Sequence, residues 1–246
     1  MSEILNQFSL PVRAWFERSF KAPTQAQQLG WRPIVAGKST LLLAPTGSGK
    51  TLAAFLSSLD KLMCGPARDD GGLRVLYVSP LKALAIDVER NLRAPIAGIR
   101  ATAAELGVPV REPEVAVRSG DTPAKERSRF QRAGGDLLIT TPESLYLMLT
   151  SQAARHFATL ETVIIDEIHA LLPTKRGAHL FMSLERLELL RQGQPALQRI
   201  GLSATQRPLD EAAQLLGGGR STPNRAFERA RWRWWMHAWR RACTWR

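Results

Sequence analysis

The sequence predicts a three-layer α/β domain in which helices cover both faces of a mainly parallel sheet. Three observations predict it. Short apolar runs alternate with segments of helical spacing, the pattern of parallel strands joined by crossover helices. Runs such as VIIDE and DLLIT are apolar throughout rather than alternating, which suits strands buried on both sides. A glycine-rich stretch, APTGSGKT at 44–51, falls between a predicted strand and a predicted helix.

The elements follow in order. Residues 11–20 carry Val12, Trp15, Phe16 and Phe20, a short helical stripe. Thr24 and Gln27 read as a helix start with a capping box. Ser39–Leu43 is a strand, and behind the glycine-rich turn Leu52, Phe55, Leu56, Leu59 and Leu62 repeat at helical spacing. Leu73–Val78 is a second strand, followed by a helix at Leu84, Val88 and Leu92. Ile96, Ile99, Ala103 and Leu106 mark another helix. Val115–Val117, Asp136–Thr140, Thr162–Ile165 and Arg199–Leu202 are further strands. Between the last two lies a helix with Leu180, Leu184, Leu187 and Leu190 on one face. Pro208 suits the first turn of a final helix through Leu216.

Composition narrows the class. At roughly 100–200 residues per domain, 246 residues hold one large domain or two small ones. A chain that is 44% hydrophobic and 23% charged is not wholly disordered. Cys64 and Cys243 cannot form a disulfide framework, so a reducing, cytoplasmic location is expected. The first residues lack a basic start with an apolar run, and no stretch nears the roughly 18 apolar residues of a membrane span. The net charge of +12 is uneven: of 34 basic and 22 acidic residues, the segment 220–246 holds eight arginines and one acid, Glu228. The remainder has 26 basic and 21 acidic residues, a mild excess compatible with phosphate contacts.

Two motifs carry chemistry. In APTGSGKT, Gly47 and Gly49 let the backbone of Thr46, Ser48 and their neighbours turn N–H groups toward phosphate oxygens, and the following helix adds its positive end. Lys50 can neutralise the β- and γ-phosphates, and Thr51 can offer its hydroxyl to Mg²⁺. Ala44 departs from the general pattern, which begins with glycine. In VIIDEIH, Asp166 and Glu167 follow a buried strand at the carboxyl end of the sheet, where such sheets bind ligands. Asp166 is placed to hold Mg²⁺, and Glu167 to orient or deprotonate a water. His169 as a zinc ligand has no Cys or His partners at ligand spacing.

The ordered set APTGSGKT, SPLKALA (79–85), TPESL (141–145), DEIH (166–169) and SAT (203–205) resembles the first RecA-like domain of a superfamily-2 helicase. The wording of PTQAQQLGW, YVSPLKALAIDVERNL, RSGDTPAKER and DEIHALLPTKRGAHL is similar to the large helicase-related (Lhr) proteins, over about residues 10–219. The resemblance implies a RecA-like P-loop NTPase fold using ATP and Mg²⁺ on single-stranded or forked DNA, with RNA possible, in DNA repair. It implies that Gln27 reads the adenine edge, although the capping box competes for that side chain, and that Phe20 lies near the base or in the core. It implies nucleic-acid contacts from Pro80 and Lys82, from Gly120 and Asp121, and from Thr141, Pro142 and Glu143. Lys82, Lys125 and Arg127 are equally compatible with a solvated face. It implies that His169, Ser203 and Thr205 couple the nucleotide site to strand movement.

The resemblance divides the chain into an ATP-binding domain at 1–219 and an Arg/Trp-rich tail at 220–246. Such motors use a second RecA-like domain whose arginine finger contributes about 10³–10⁵ in rate. The 27 residues past Gly219 are too few to form one, so weak nucleotide binding, poor hydrolysis and no unwinding are expected. The tail has two readings: an out-of-frame peptide after a frameshift, or a nucleic-acid or membrane-surface arm in which arginines bind phosphate and tryptophans stack on bases or sit at an interface. The second makes the chain a non-enzymatic nucleic-acid-binding fragment. Another P-loop class, such as a transporter ATPase or a kinase, is opposed by the SAT and TPESL motifs.

Overall fold

The computed structural model describes residues 3–66, 72–204, 212–213 and 216–217, and the backbone of 219–221 and 227–229. Six parallel strands form one sheet: β1 (Thr40–Leu43), β2 (Val75–Val78), β3 (Val115–Arg118), β4 (Leu137–Thr140), β5 (Thr162–Ile165) and β6 (Gln198–Ser203). Their spatial order is β1-β6-β5-β2-β4-β3. Gly219–Ser221 (β7) and Phe227–Arg229 (β8) pair antiparallel in a separate two-stranded ribbon. The rest of the predicted tail lies outside the described residues, as does Pro208.

The unbroken apolar runs have the origin expected of them: alternate side chains enter opposite layers. Val75 and Tyr77 of β2 join one core and Leu76 and Val78 the other. The first core is closed by α1 (Leu10–Ser19), α2 (Gln25–Val35), α3 (Lys50–Cys64) and α4 (Lys82–Glu105), through Phe16, Trp31, Phe55, Leu59, Leu92 and Ile99. The second is closed mainly by α6 (Pro142–Leu149) and α8 (Lys175–Leu190), through Leu145, Leu180, Leu184 and Leu187. The remaining helices include α5 (Ala124–Ala133), α7 (Ile168–Leu171) and two 3-10 segments, Glu3–Gln7 and Gln152–Thr159. No helix among the described residues is long and apolar enough to cross a membrane.

Several elements differ from the sequence reading, which gave no helix at α5 or α6. The two helices expected between Leu84 and Leu106 are one helix, α4, with Pro95 inside it. Proline removes one backbone donor, but Val88, Leu92, Ile96, Ile99 and Ala103 form one buried stripe across it. Continuous burial of that stripe outweighs the local cost. The Leu180 stripe of α8 also ends early: Leu187 is buried, but Leu190, the last residue of the helix, is exposed.

Candidate functional site

All six sheet strands end at the same edge, and the motifs leave from it. In spatial order the edge has two halves. Strands β1, β6 and β5 carry APTGSGKT, Ser203 and DEIH. Strands β2, β4 and β3 carry SPLK, TPESL and SGDT.

The first half is built largely by backbone. After β1 the chain turns through Gly47 at φ +79° and Gly49 at φ +80°, and α3 starts at Lys50. A side chain at either glycine would be strained in this left-handed region. At Gly49 it would also lie 2.6 Å from Gln27 Nε2. The loop is braced on both sides: Ala44 N donates to Ser203 O at 3.1 Å, and Thr24 Oγ1 donates to Ser48 O at 2.8 Å. Thr46 and Gly47 are exposed at the crest, whereas Lys50 is only 8% exposed. Its ammonium donates to Ala44 O, and among the described residues it has no carboxylate partner. Ser48 Oγ is buried with no hydrogen-bond partner among them. A buried unpaired cation and an unsatisfied hydroxyl in a cradle of N–H groups suit an anion.

Gln27 forms the capping box: its Oε1 accepts from Thr24 N at 2.9 Å, while Thr24 Oγ1 accepts from Gln27 N at 3.3 Å. The acceptor end is therefore engaged locally, and Nε2 remains beside Gly49 on the wall of a cleft of about 1040 Å³. Phe20, Thr46, Lys50, Thr51, Asp166 and Glu167 line the same cleft. Phe20 is 42% exposed and packs on Phe16, so it belongs to the core margin and to the cleft wall together.

Across the cleft, Asp166 Oδ1 accepts from Glu167 N at 2.9 Å, and Oδ2 accepts from the Tyr77 hydroxyl. Burial, with Asp166 beside it, pushes the Tyr77 phenol well above its ordinary value, so it acts as a donor. Glu167 is the one non-glycine among the described residues with positive φ, at 43°. That conformation costs about 1–2 kcal/mol, and it starts α7 in a new direction right after β5. Glu167 Oε2 then lies 3.2 Å from His169 Nδ1, which is 3.0 Å from Ser203 Oγ. The structure thus brings Glu167, His169 and Ser203 into one polar chain; Thr205 lies outside the described residues. No three His, Cys, Asp or Glu side chains among the described residues gather as a metal-binding cluster.

The second half is more exposed. Lys82 donates to both oxygens of Asp121 at 2.8 and 2.9 Å, their side chains being 56% and 74% exposed. Gly120 sits against that lysine, with space for a Cβ 3.6 Å from Nζ. Pro80, Thr141 and Pro142 are buried, while Glu143, Lys125 and Arg127 are exposed. Sequence reasoning missed Arg176. Its guanidinium grips both Glu143 oxygens and donates to Pro80 O at 2.8 Å, so one side chain joins the loops after β2 and β4. That pairing holds the Glu143 carboxyl below its ordinary range. It was also silent on Tyr77. An Arg in TKRG and a Tyr in an apolar strand give no local sign of their distant partners.

The family model for DEAD/DEAH box helicases matches residues 24–212. The Lhr helicase/probable uracil glycosylase of Mycolicibacterium smegmatis is 56% identical over 87% of this chain. The Lhr helicase/uracil glycosylase of Escherichia coli is 50% identical, also over 87%. The chain spans 14% of the length of each. The structure of Mycobacterium smegmatis helicase Lhr bound to ssDNA and AMP-PNP superposes with a TM-score of 0.82 at 54% identity, covering 87% of this chain and 27% of that one. With an anion cradle and a strand-end acid pair on one edge of a parallel sheet, and a family match across most of its length, the chain belongs to the DEAD/DEAH box helicase family.

Proposed function

We propose that residues 1–219 are the ATP- and nucleic-acid-binding first motor domain of an Lhr-type ATP-dependent helicase, and that 220–246 form a basic tail apart from it. The observation that carries this is the buried Lys50, unpaired by any carboxylate among the described residues, at the N-terminus of α3 and on the same cleft as Asp166 and Glu167. The relative that superposes on this chain was solved with ssDNA and AMP-PNP. That supports a nucleoside triphosphate in this cleft and single-stranded DNA along the second half of the edge.

In this reading Lys50 leaves the Ala44 carbonyl for a phosphate oxygen, and the N–H groups from Gly47 to Thr51 face the phosphates. Gln27 uses the donor end that the capping box leaves over, so cap and adenine contact are compatible. Magnesium, when bound, neutralises charge developing on the phosphates. The donor set suits it: Mg²⁺ is usually held by one or two carboxylates plus phosphates. Here the candidates are Asp166 and the Thr51 hydroxyl. Glu167 orients a water, held toward the cleft by its left-handed backbone and by His169. The His169–Ser203 contact runs to the end of β6, which suits a relay of nucleotide state to the SAT segment. Pro80, Lys82, Gly120, Asp121, Thr141, Pro142 and Glu143 present hydroxyl, backbone and lysine groups suited to phosphate and sugar rather than base edges.

Calorimetric titration of the full chain with Mg·AMP-PNP checks this. Saturable heat at one site per chain is expected. No heat from folded protein overturns the reading.

A further inference from the structure

We propose that Tyr77 is a positioning residue for Asp166, holding its carboxylate in one orientation toward the cleft and tying it to both β2 and α3. The inference rests on the reading of Asp166 as the magnesium-holding acid.

An aspartate at a strand end has a broad, soft outer torsion. Here it is held from two sides. The Glu167 N–H takes Oδ1 at 2.9 Å and the Tyr77 hydroxyl takes Oδ2. The backbone is held as well, Asp166 N donating to Val78 O at 2.9 Å. Tyr77 itself cannot swing. It is fully buried, and its ring stacks on Phe55 with centroids 5.0 Å apart and planes 23° from parallel. Phe55 stands in the second turn of α3, the helix that opens on Lys50. One phenol therefore connects the helix behind the phosphate loop, the strand leading to Pro80 and Lys82, and the acid across the cleft.

Packing alone does not call for the hydroxyl. A phenylalanine would fill the same slot between β2 and α3 without desolvating a polar group. What the hydroxyl adds is the bond to Asp166. Partners of this kind, one step behind the metal-holding group, set its orientation.

Tyr77→Phe tests this in the full chain, because it keeps the ring and its stack on Phe55. A fluorescent ATP analogue is titrated in EDTA and at rising magnesium concentrations, with Asp166→Asn measured alongside. The expected result is unchanged affinity in EDTA and about a tenfold rise in the magnesium needed for half-maximal tightening, the range typical of outer-shell partners. Asp166→Asn removes the tightening. If Tyr77→Phe keeps the native magnesium response while Asp166→Asn loses it, the inference is overturned and the site reading stands. If Tyr77→Phe weakens binding equally with and without magnesium, the role is packing and the inference is again overturned. If Asp166→Asn also responds like the native chain, the reading of Asp166 itself fails.

Discussion

The two halves of the sheet edge solve different problems. In the half formed by β1, β6 and β5, the critical groups are mostly buried or half-buried and set by backbone. Two left-handed glycines, a left-handed glutamate and the short contacts from Glu167 through His169 to Ser203 hold them. An anion entering there displaces one contact, that of Lys50 with the Ala44 carbonyl. In the half formed by β2, β4 and β3, Lys82 is already neutralised by Asp121, and Glu143 by Arg176. In the proposed function, a nucleic acid exchanges these exposed ion pairs for its own phosphates. The first half is thus preorganised, with a buried cation free of any carboxylate among the described residues, while the second is a set of loops braced by exposed ion pairs.

The comparison breaks most readily at Lys50. Lys50→Ala removes a charge-assisted contact, and a loss of about 3 kcal/mol corresponds to about a hundredfold in Mg·AMP-PNP affinity. Calorimetry checks this. Binding of single-stranded DNA without nucleotide should not change. A parallel loss of DNA binding means that the halves are not separable.

A smaller effect is expected on the other side. Arg176→Ala frees the Glu143 carboxylate and the Pro80 carbonyl beside the strand path. The side chains of Arg176 and Glu143 are 44% and 55% exposed, so solvent screening limits the loss to about 1 kcal/mol, or about fivefold in single-stranded DNA affinity. Arg176→Lys does not restore it, because an ammonium cannot hold two carboxylate oxygens and a carbonyl in a planar fork. Fluorescence anisotropy with labelled oligonucleotide reads this, and unchanged nucleotide affinity sharpens the division.

The smallest effect belongs to Asp121. Asp121→Asn releases Lys82 and should tighten single-stranded DNA binding about twofold at low salt, as expected for an exposed pair. The gain should fade as ionic strength rises and the Debye length shrinks. A gain that persists at high salt shows that Asp121 does more than neutralise Lys82.

Much of this was legible before the fold was seen. Unbroken apolar runs announced strands covered on both faces, and the glycines around Ser48 announced a phosphate-facing turn before a helix. The acid pair after VII was expected at the carboxyl edge and is there. What escaped was non-local. The segment 84–106 read as two helices, because local spacing does not register a buried stripe that continues across Pro95. Helices α5 and α6 were passed over: α5 buries Phe130 alone, and the run LYLML in α6 has no distinct period. The left-handed Glu167 is not a residue that propensity places there.

By itself, then, the sequence determined the layers, the phosphate loop and the strand-end acids, because each depends on residue types a few positions apart. Only the tertiary structure decided that Tyr77 meets Asp166 and that Arg176 joins Pro80 to Glu143. Those contacts join residues 89, 96 and 33 positions apart. The order in which strands lie side by side creates them, and no short-range pattern encodes that order.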